Sequence, residues 1–223
     1  VGFDLDGTLF DHHGSASEGV NFLVRSLGVE PSDQTRSLWF AVEDDGFRKW
    51  SNGEFSFQEQ RRYRLRTVLP ALGVNVPDDN ALDLLFDTYL GAYRAAWKAF
   101  PGAAEALQAV RARSLTVGVL TNGSQEQQTS KLRSTGLYDL VDVVCTAEEL
   151  GLWKPDPRAF HEFAHRLGVA PSECLFVGDH PDQDIAGATA AGMPAVIVDH
   201  YTESPTDLEA LLDLHIKHPT LPK

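Results

Sequence analysis

Two kinds of patterning alternate through the second half of the chain. SLTVGVLT (114–121), LVDVVCT (140–146), ECLFVGD (173–179) and PAVIVDH (194–200) are apolar, β-rich runs, each closed by a polar or glycine-containing turn. They predict strands. Between them lie helix-like stretches, SQEQQTSKLRSTG (124–136), DPRAFHEFAHRLG (156–168) and DQDIAGATAAG (182–192), and AAEALQAVRARS (103–114) precedes the first run. Asp156 followed by Pro157 reads as an N-cap with proline at the first helical position, and Gly168 ends that helix. Near-continuous apolar strands with helical crossovers predict a parallel sheet covered on both faces.

The first half is patterned differently. One apolar strand (1–6) opens the chain, and then amphipathic helical patterns such as GVNFLVRSLG and ALDLLFDTYLGAYRAAW follow with almost no strand signal. The predicted architecture is α/β: a Rossmann-like, three-layer core with a mainly parallel sheet, built from 1–14 and 95–223. An α-helical domain over 15–94 interrupts it. The final HPTLPK reads as a loose tail.

Composition narrows the function. The chain has 223 residues, enough for a large core, and 43% of them are hydrophobic. A net charge of −13 disfavours general affinity for nucleic acid or anionic membrane, yet leaves room for a small anion held by local groups. Cys145 and Cys174 lie inside apolar runs and read as buried thiols, too few for a zinc framework. With no signal-like start and no long apolar run, the expected location is cytoplasmic. Val1 stands directly before the first strand, which leaves room for residues upstream.

Candidate chemistry collects where a parallel sheet binds its ligands, outside the carboxyl ends of the strands. Those ends carry Asp4 and Asp6, then Thr121-Asn122-Gly123, then Asp179 with Asp184, and Lys154 lies in the loop GLWKPDP. Strand residues two apart point to the same side, so Asp4 and Asp6 would crowd each other; a turn at Gly7 lets them diverge. Each group alone has a plainer reading as turn, helix cap or solvated cation. Together, four carboxylates at one edge call for a cation, and oxygen ligands suit Mg²⁺. Lys154 and Mg²⁺ would hold a phosphate dianion, with the Thr121 hydroxyl and the backbone N–H groups around Asn122 and Gly123 as donors. One carboxylate can attack phosphorus, and a second, two residues on, can serve as general acid and base.

DLDGTLF (4–10), TNG (121–123), WKPDP (153–157) and VGDHPDQD (177–184) resemble, in order, the four signature motifs of the haloacid dehalogenase-like superfamily. The helical block resembles the cap which that family inserts between its first two motifs. The resemblance implies Asp4 as nucleophile and Asp6 as general acid/base. It implies that Thr121 binds the transferring phosphoryl group and that Lys154 steadies nucleophile and phosphate. Mg²⁺ would be held by Asp4, Asp179 and the backbone carbonyl of Asp6, with Asp184 acting through a metal-bound water or by orienting Lys154. Asp182, off the motif, reads as a helix-start carboxylate.

Within that family the namesake dehalogenases attack carbon and lack an acid at the position of Asp6, so its presence points to phosphoryl transfer. The resemblance therefore implies an Mg²⁺-dependent phosphomonoester hydrolase that works through an aspartyl-phosphate on a small phosphorylated metabolite, such as a nucleotide or sugar phosphate. A phosphomutase like β-phosphoglucomutase is the alternative, since the helical block carries Arg48, Lys49, Arg61, Arg62, Arg64 and Arg66 against Glu54 and Glu59. Arg62 and Arg66 would share one helical face; the plainer reading of the cluster is a solvated face with local ion pairs. A phosphonate hydrolase would need a Schiff-base lysine, for which the block offers Lys49. A non-catalytic binding protein would have lost a motif residue, and none is lost. Phe47, Trp50, Phe55 and Phe57 read as core rather than substrate contacts, and His12 and His13 as linker residues.

Overall fold

The opening strand, β1 (Gly2–Phe3), lies at the centre of a five-stranded parallel sheet. In this computed structural model, which describes residues 1–216, β1 pairs with β2 (Gly118–Thr121) on one side, and β2 with β3 (Val143–Thr146). On its other side lies β4 (Phe176–Gly178), followed by β5 (Ala195–Ile197). The order is β3-β2-β1-β4-β5. The chain moves outward from β1 through β2 and β3, then crosses back, so the sheet changes direction beside β1. Ligand sites form at such a switch point. Phe3 pairs with both Val119 and Val177, which brings the residues following β1, β2 and β4 to one edge.

The chain forms two compact units, His13–Ala96 and the remainder: Val1–His12 together with the chain from Trp97 onward. The helices are α1 (His12–Ser26), α2 (Asp33–Ser51), α3 (Phe57–Ala71), α4 (Asp79–Ala95), α5 (Ala103–Ala112), α6 (Gln125–Ser134), α7 (Ala147–Leu150), α8 (Pro157–Leu167), α9 (Gly187–Ala190) and α10 (Leu208–His215). The sequence HPTLPK lies outside the described residues. Among the described residues, no helix is long and apolar enough to cross a membrane.

The strongest helix signal behaves as read. The Asp156 side chain accepts from the Arg158 N–H, Pro157 occupies the first turn, and Gly168 closes α8 with φ +72°. Its apolar stripe, Ala159, Phe160, Phe163, Ala164 and Leu167, is buried. A Cβ at Gly2 or Gly118 would lie 2.4 or 2.7 Å from the Phe163 ring. Two neighbouring strands are therefore bare where one aromatic ring packs on them. Cys145 and Cys174 are buried free thiols in the same cluster.

DQDIAGATAAG departs from a simple helix. Pro181–Ala186 forms a π-helical turn, and only Gly187–Ala190 is α-helical. Asp184 within the turn is buried and bonded to Lys154 from another loop and to the His180 N–H that precedes the turn, so the widened turn sets its direction. The strands are also shorter than their apolar runs: β2 begins at Gly118, four residues into SLTVGVLT, because the chain is still turning at Ser114 with φ +57°.

The helical unit packs around Trp39, Tyr89 and Tyr93, all at most 2% exposed, with ring centroids of Trp39 and Tyr89 4.5 Å apart. A Cβ on Gly19 would come within 2.7 Å of Tyr89. Ser56 and Glu59 close a reciprocal capping box at the start of α3. Much of the basic cluster is tied to acids of the same unit. Arg62 meets Asp79 and Asp83, Arg66 also meets Asp79, Arg64 meets Glu43, and Arg48 and Lys49 meet Asp45. The shared Asp79 places Arg62 and Arg66 on one face of α3. Arg61 lies over the Phe57 and Phe86 rings. Phe47, Trp50 and Phe57 form a half-buried aromatic row, Phe55 packs on Tyr63, and His13 stacks on Phe40.

Replacing the fully buried Phe163 by alanine removes the ring that two strands accommodate. The expected cost is about 3–5 kcal/mol of unfolding free energy, whereas Phe22→Ala, at a half-exposed position, stays within about 0.5 kcal/mol. Denaturant titration checks both; a loss below about 1 kcal/mol for Phe163→Ala would contradict this packing.

Candidate active site

Asp4 follows β1 directly, and its backbone N–H donates to Val177 O at 2.9 Å, which ties it to the end of β4. Past it the chain turns at once. Gly7 adopts φ +91°, a conformation that favours glycine, and a Cβ there would lie 2.2 Å from Asp179 Oδ2. The glycine thus makes the turn and also gives the Asp179 carboxylate its place. Thr8 Oγ1 donates to Asp179 Oδ1 at 3.4 Å.

The turn separates the two carboxylates, and each receives its own lysine. Lys154 Nζ donates to Asp4 Oδ1 at 2.5 Å and to Asp184 Oδ1 at 2.6 Å; all three side chains are at most 7% exposed. Lys131 Nζ donates to both oxygens of Asp6 at 2.7 Å, and Gln128 Nε2 donates to Asp6 Oδ2 at 2.9 Å. Asp184 Oδ2 also accepts from the His180 N–H at 2.9 Å. Gly178 permits this approach, since a Cβ there would stand 2.4 Å from that of Asp184.

The later motifs fasten these pieces. Asn122 Oδ1 accepts from the Lys154 N–H at 2.8 Å, while its Nδ2 donates to Lys154 O at 2.9 Å and to Gln183 Oε1 at 3.0 Å. The Asn122 side chain therefore clasps the lysine loop on both sides. Thr121, at the end of β2, accepts at Oγ1 from Gln128 Nε2 at 2.6 Å. Gly123 leaves room for Gln128, whose side chain would lie 3.0 Å from a Cβ on it. Asp182 sits exposed at the start of the π-helical turn.

Asp4, Asp179 and Asp184 each bring a carboxylate oxygen within 4.8 Å of the others. Burial pushes the Asp4 carboxyl well above the usual range; Lys154 pulls the other way, while Asp184 and Asp179 add to the rise. Asp179 is pushed up to about 6, by burial first and then by Asp184. For Lys154 burial opposes the charge, but Asp184 and Asp4 outweigh it and hold the ammonium above its ordinary value. One ammonium against three carboxylates leaves negative charge, and the donors are hard oxygens. The cluster thus has the chemistry of an Mg²⁺ site. Asp6 differs: burial favours a rise, yet Lys131 prevails and holds its carboxyl below the usual range. Its carboxylate stands outside the three-acid cluster.

Thus Asp4, Asp6, Thr121, Asn122, Lys154, Asp179 and Asp184 come together through direct contacts or the shared acidic cluster, and Gly123 makes room for Gln128. The motif reading missed Gln128 and Lys131. A signal was present in α6, QEQQTSKLRS, where Leu132 is the only apolar side chain larger than a methyl-bearing threonine. A helix so poor in apolar residues must turn polar groups inward, and Gln128 and Lys131, one turn apart, are 2% and 1% exposed.

Comparison with known proteins agrees with this geometry. Residues 1–192 match the family model described as haloacid dehalogenase-like hydrolase. A phosphatase of Mycobacterium tuberculosis is 45% identical over 108 residues, covering 48% of this chain and 49% of that protein, so the likeness spans about half of each. A glyceraldehyde 3-phosphate phosphatase of Methanopyrus kandleri is 30% identical over 87% of this chain and 81% of its own length. The magnesium-bound structure of YfnB from Bacillus subtilis superposes with a TM-score of 0.76 over 96% of both chains at 20% identity, a likeness of fold. With four motifs at one sheet edge and a family match across most of its length, the chain belongs to the haloacid dehalogenase-like hydrolases.

Proposed function

We propose that this chain hydrolyses small phosphomonoesters with Asp4 as the nucleophile. The observation that carries the reading is the Lys154 ammonium, buried between Asp4 and Asp184 with Asp179 beside them. Phosphoryl transfer to a carboxylate brings negative charge onto negative charge, and fixed cations at the point of attack are what it requires. Asp4, Asp179 and the Asp6 backbone carbonyl would hold Mg²⁺, with Asp184 orienting Lys154 or acting through water. When bound, the metal supplies positive charge against the phosphate oxygens.

In the first half-reaction an Asp4 oxygen attacks phosphorus, forming an aspartyl-phosphate, and the leaving oxygen takes a proton from Asp6. In the second, Asp6 removes a proton from water as it attacks phosphorus, which frees Asp4 and releases phosphate. The Lys131 contact favours ionised Asp6, the form left once the leaving oxygen has taken its proton and the form the second step needs. Thr121, the backbone N–H groups around Asn122 and Gly123, and Lys154 hold the transferring group.

The name of one relative, a glyceraldehyde 3-phosphate phosphatase, supports a small phosphorylated substrate. The helical unit, His13–Ala96, would act as the cap that selects it. The alternatives lose their sequence support. Acids of its own unit engage most of the basic cluster that suggested a mutase. Lys49 is hydrogen-bonded to Asp45 and held above its ordinary pKa, the reverse of what a Schiff-base lysine needs.

Phosphate release from a panel of small phosphomonoesters with Mg²⁺ tests the reading. Asp4→Asn is expected to abolish release with the thermal transition retained, and Asp6→Asn to slow it by roughly 10²–10⁴-fold. Near-normal turnover by Asp4→Asn would remove Asp4 as nucleophile.

The raised carboxyls generate a separate expectation. With Asp179 at about 6 in the fold and near 4 when unfolded, the native state binds more protons between those values. Stability contributed by this group therefore falls as pH rises from 4 to 6 and stays lost above. Mg²⁺ would replace those protons, so excess Mg²⁺ should raise the thermal midpoint more at pH 7.5 than at pH 5. Equal shifts, or none, would contradict the metal assignment.

A further inference from the structure

Gln128 joins two motifs that a motif reading treats as independent. Its Nε2 lies 2.9 Å from Asp6 Oδ2 and 2.6 Å from Thr121 Oγ1. The identity of that atom follows from chemistry: an ionised carboxylate only accepts, so the amide nitrogen must face Asp6. One nitrogen with two hydrogens then serves both partners. Thr121 Oγ1 accepts the second hydrogen, and its own O–H is left to donate elsewhere. With the group on one side occupied by Gln128, that hydroxyl proton is directed to an oxygen arriving at the end of β2.

We infer that Gln128 is a positioning residue, whose amide holds the Asp6 carboxylate in place and commits the Thr121 hydroxyl to donate toward the phosphoryl oxygens. The inference rests on the phosphatase reading above. Burial makes the role demanding: Gln128 is 2% and Thr121 1% exposed, so water cannot readily substitute for the amide. Its place is also built. Gln128 stands one turn before Lys131 on α6, and Gly123 leaves the room its side chain needs. Lys131 neutralises Asp6 from one side, and Gln128 fixes which direction the carboxylate and the hydroxyl face. A carboxylate at the same length would reverse the polarity, since it accepts from Thr121 and repels Asp6.

The test compares Gln128→Leu and Gln128→Glu with wild type, using steady-state phosphate release from the best substrate of the phosphomonoester panel. Misalignment of a reacting group costs up to about 100-fold in rate. Gln128→Leu should lower kcat by roughly 10- to 100-fold with KM changed less than about threefold, and Gln128→Glu should lower kcat further. On a Thr121→Val background the same leucine change should cost a smaller factor than in wild type, because only the Asp6 contact is left to lose. Thermal unfolding accompanies each variant. If Gln128→Leu does not fold, Gln128→Met, of similar length and without a donor, takes its place under the same criteria. Unchanged kcat in the folded variant, or the same factor lost with and without Thr121, would overturn the inference. A wild type that releases no phosphate from any ester would instead overturn the phosphatase reading.

Discussion

Lys154 places one ammonium, almost wholly buried, between the carboxylates of Asp4 and Asp184. Acids packed at a sheet edge repel each other and lose solvation, and a single buried cation offsets only part of that cost. Much else at the site serves this contact. Asn122 grips the lysine loop through its backbone N–H and carbonyl, the π-helical turn aims Asp184, and Gly178 allows Asp184 to come close. The charge left over on Asp179 and its neighbours is what makes the cluster suited to a divalent cation.

A second cation separates the surroundings of two acids that stand only one residue apart. The turn at Gly7 sends Asp4 towards Lys154 and Asp6 towards Lys131. Their environments then diverge: burial raises the Asp4 carboxyl, while Lys131 holds that of Asp6 down. The two carboxylates, close in sequence, are thus held by different lysines in different surroundings. The sheet order makes this division possible, because β1 is flanked by β2 and β4 and so receives groups from both later halves of the core.

How much of this could be read from the chain depended on where the information lay. Strand ends carry their chemistry in adjacent residues, so Asp4, Thr121 and Asp179 were legible as a common edge once the sheet was read as parallel. Gly168 and Asp156 marked the ends of α8 for the same local reason. Features set by distant partners were not legible. The acids that pair with the arginines of α3 come from α2 and α4, and only Glu54 and Glu59 were near in sequence. The π-helical turn of Pro181–Ala186 aims Asp184 at Lys154, a partner outside the segment, so nothing local announces it. Lys131 lies outside the four motifs, and only the shortage of apolar residues in α6 points to polar groups facing inward.

The central claim is that Asp4 accepts the phosphoryl group. Acid quenching of the enzyme during turnover of a phosphomonoester, followed by peptide mass mapping, tests it most directly. The expected result is the mass of one phosphoryl group on the peptide containing Asp4, localised to that residue and absent from Asp4→Asn. A phosphoryl group on another residue during turnover, or undiminished labelling in Asp4→Asn, would contradict it.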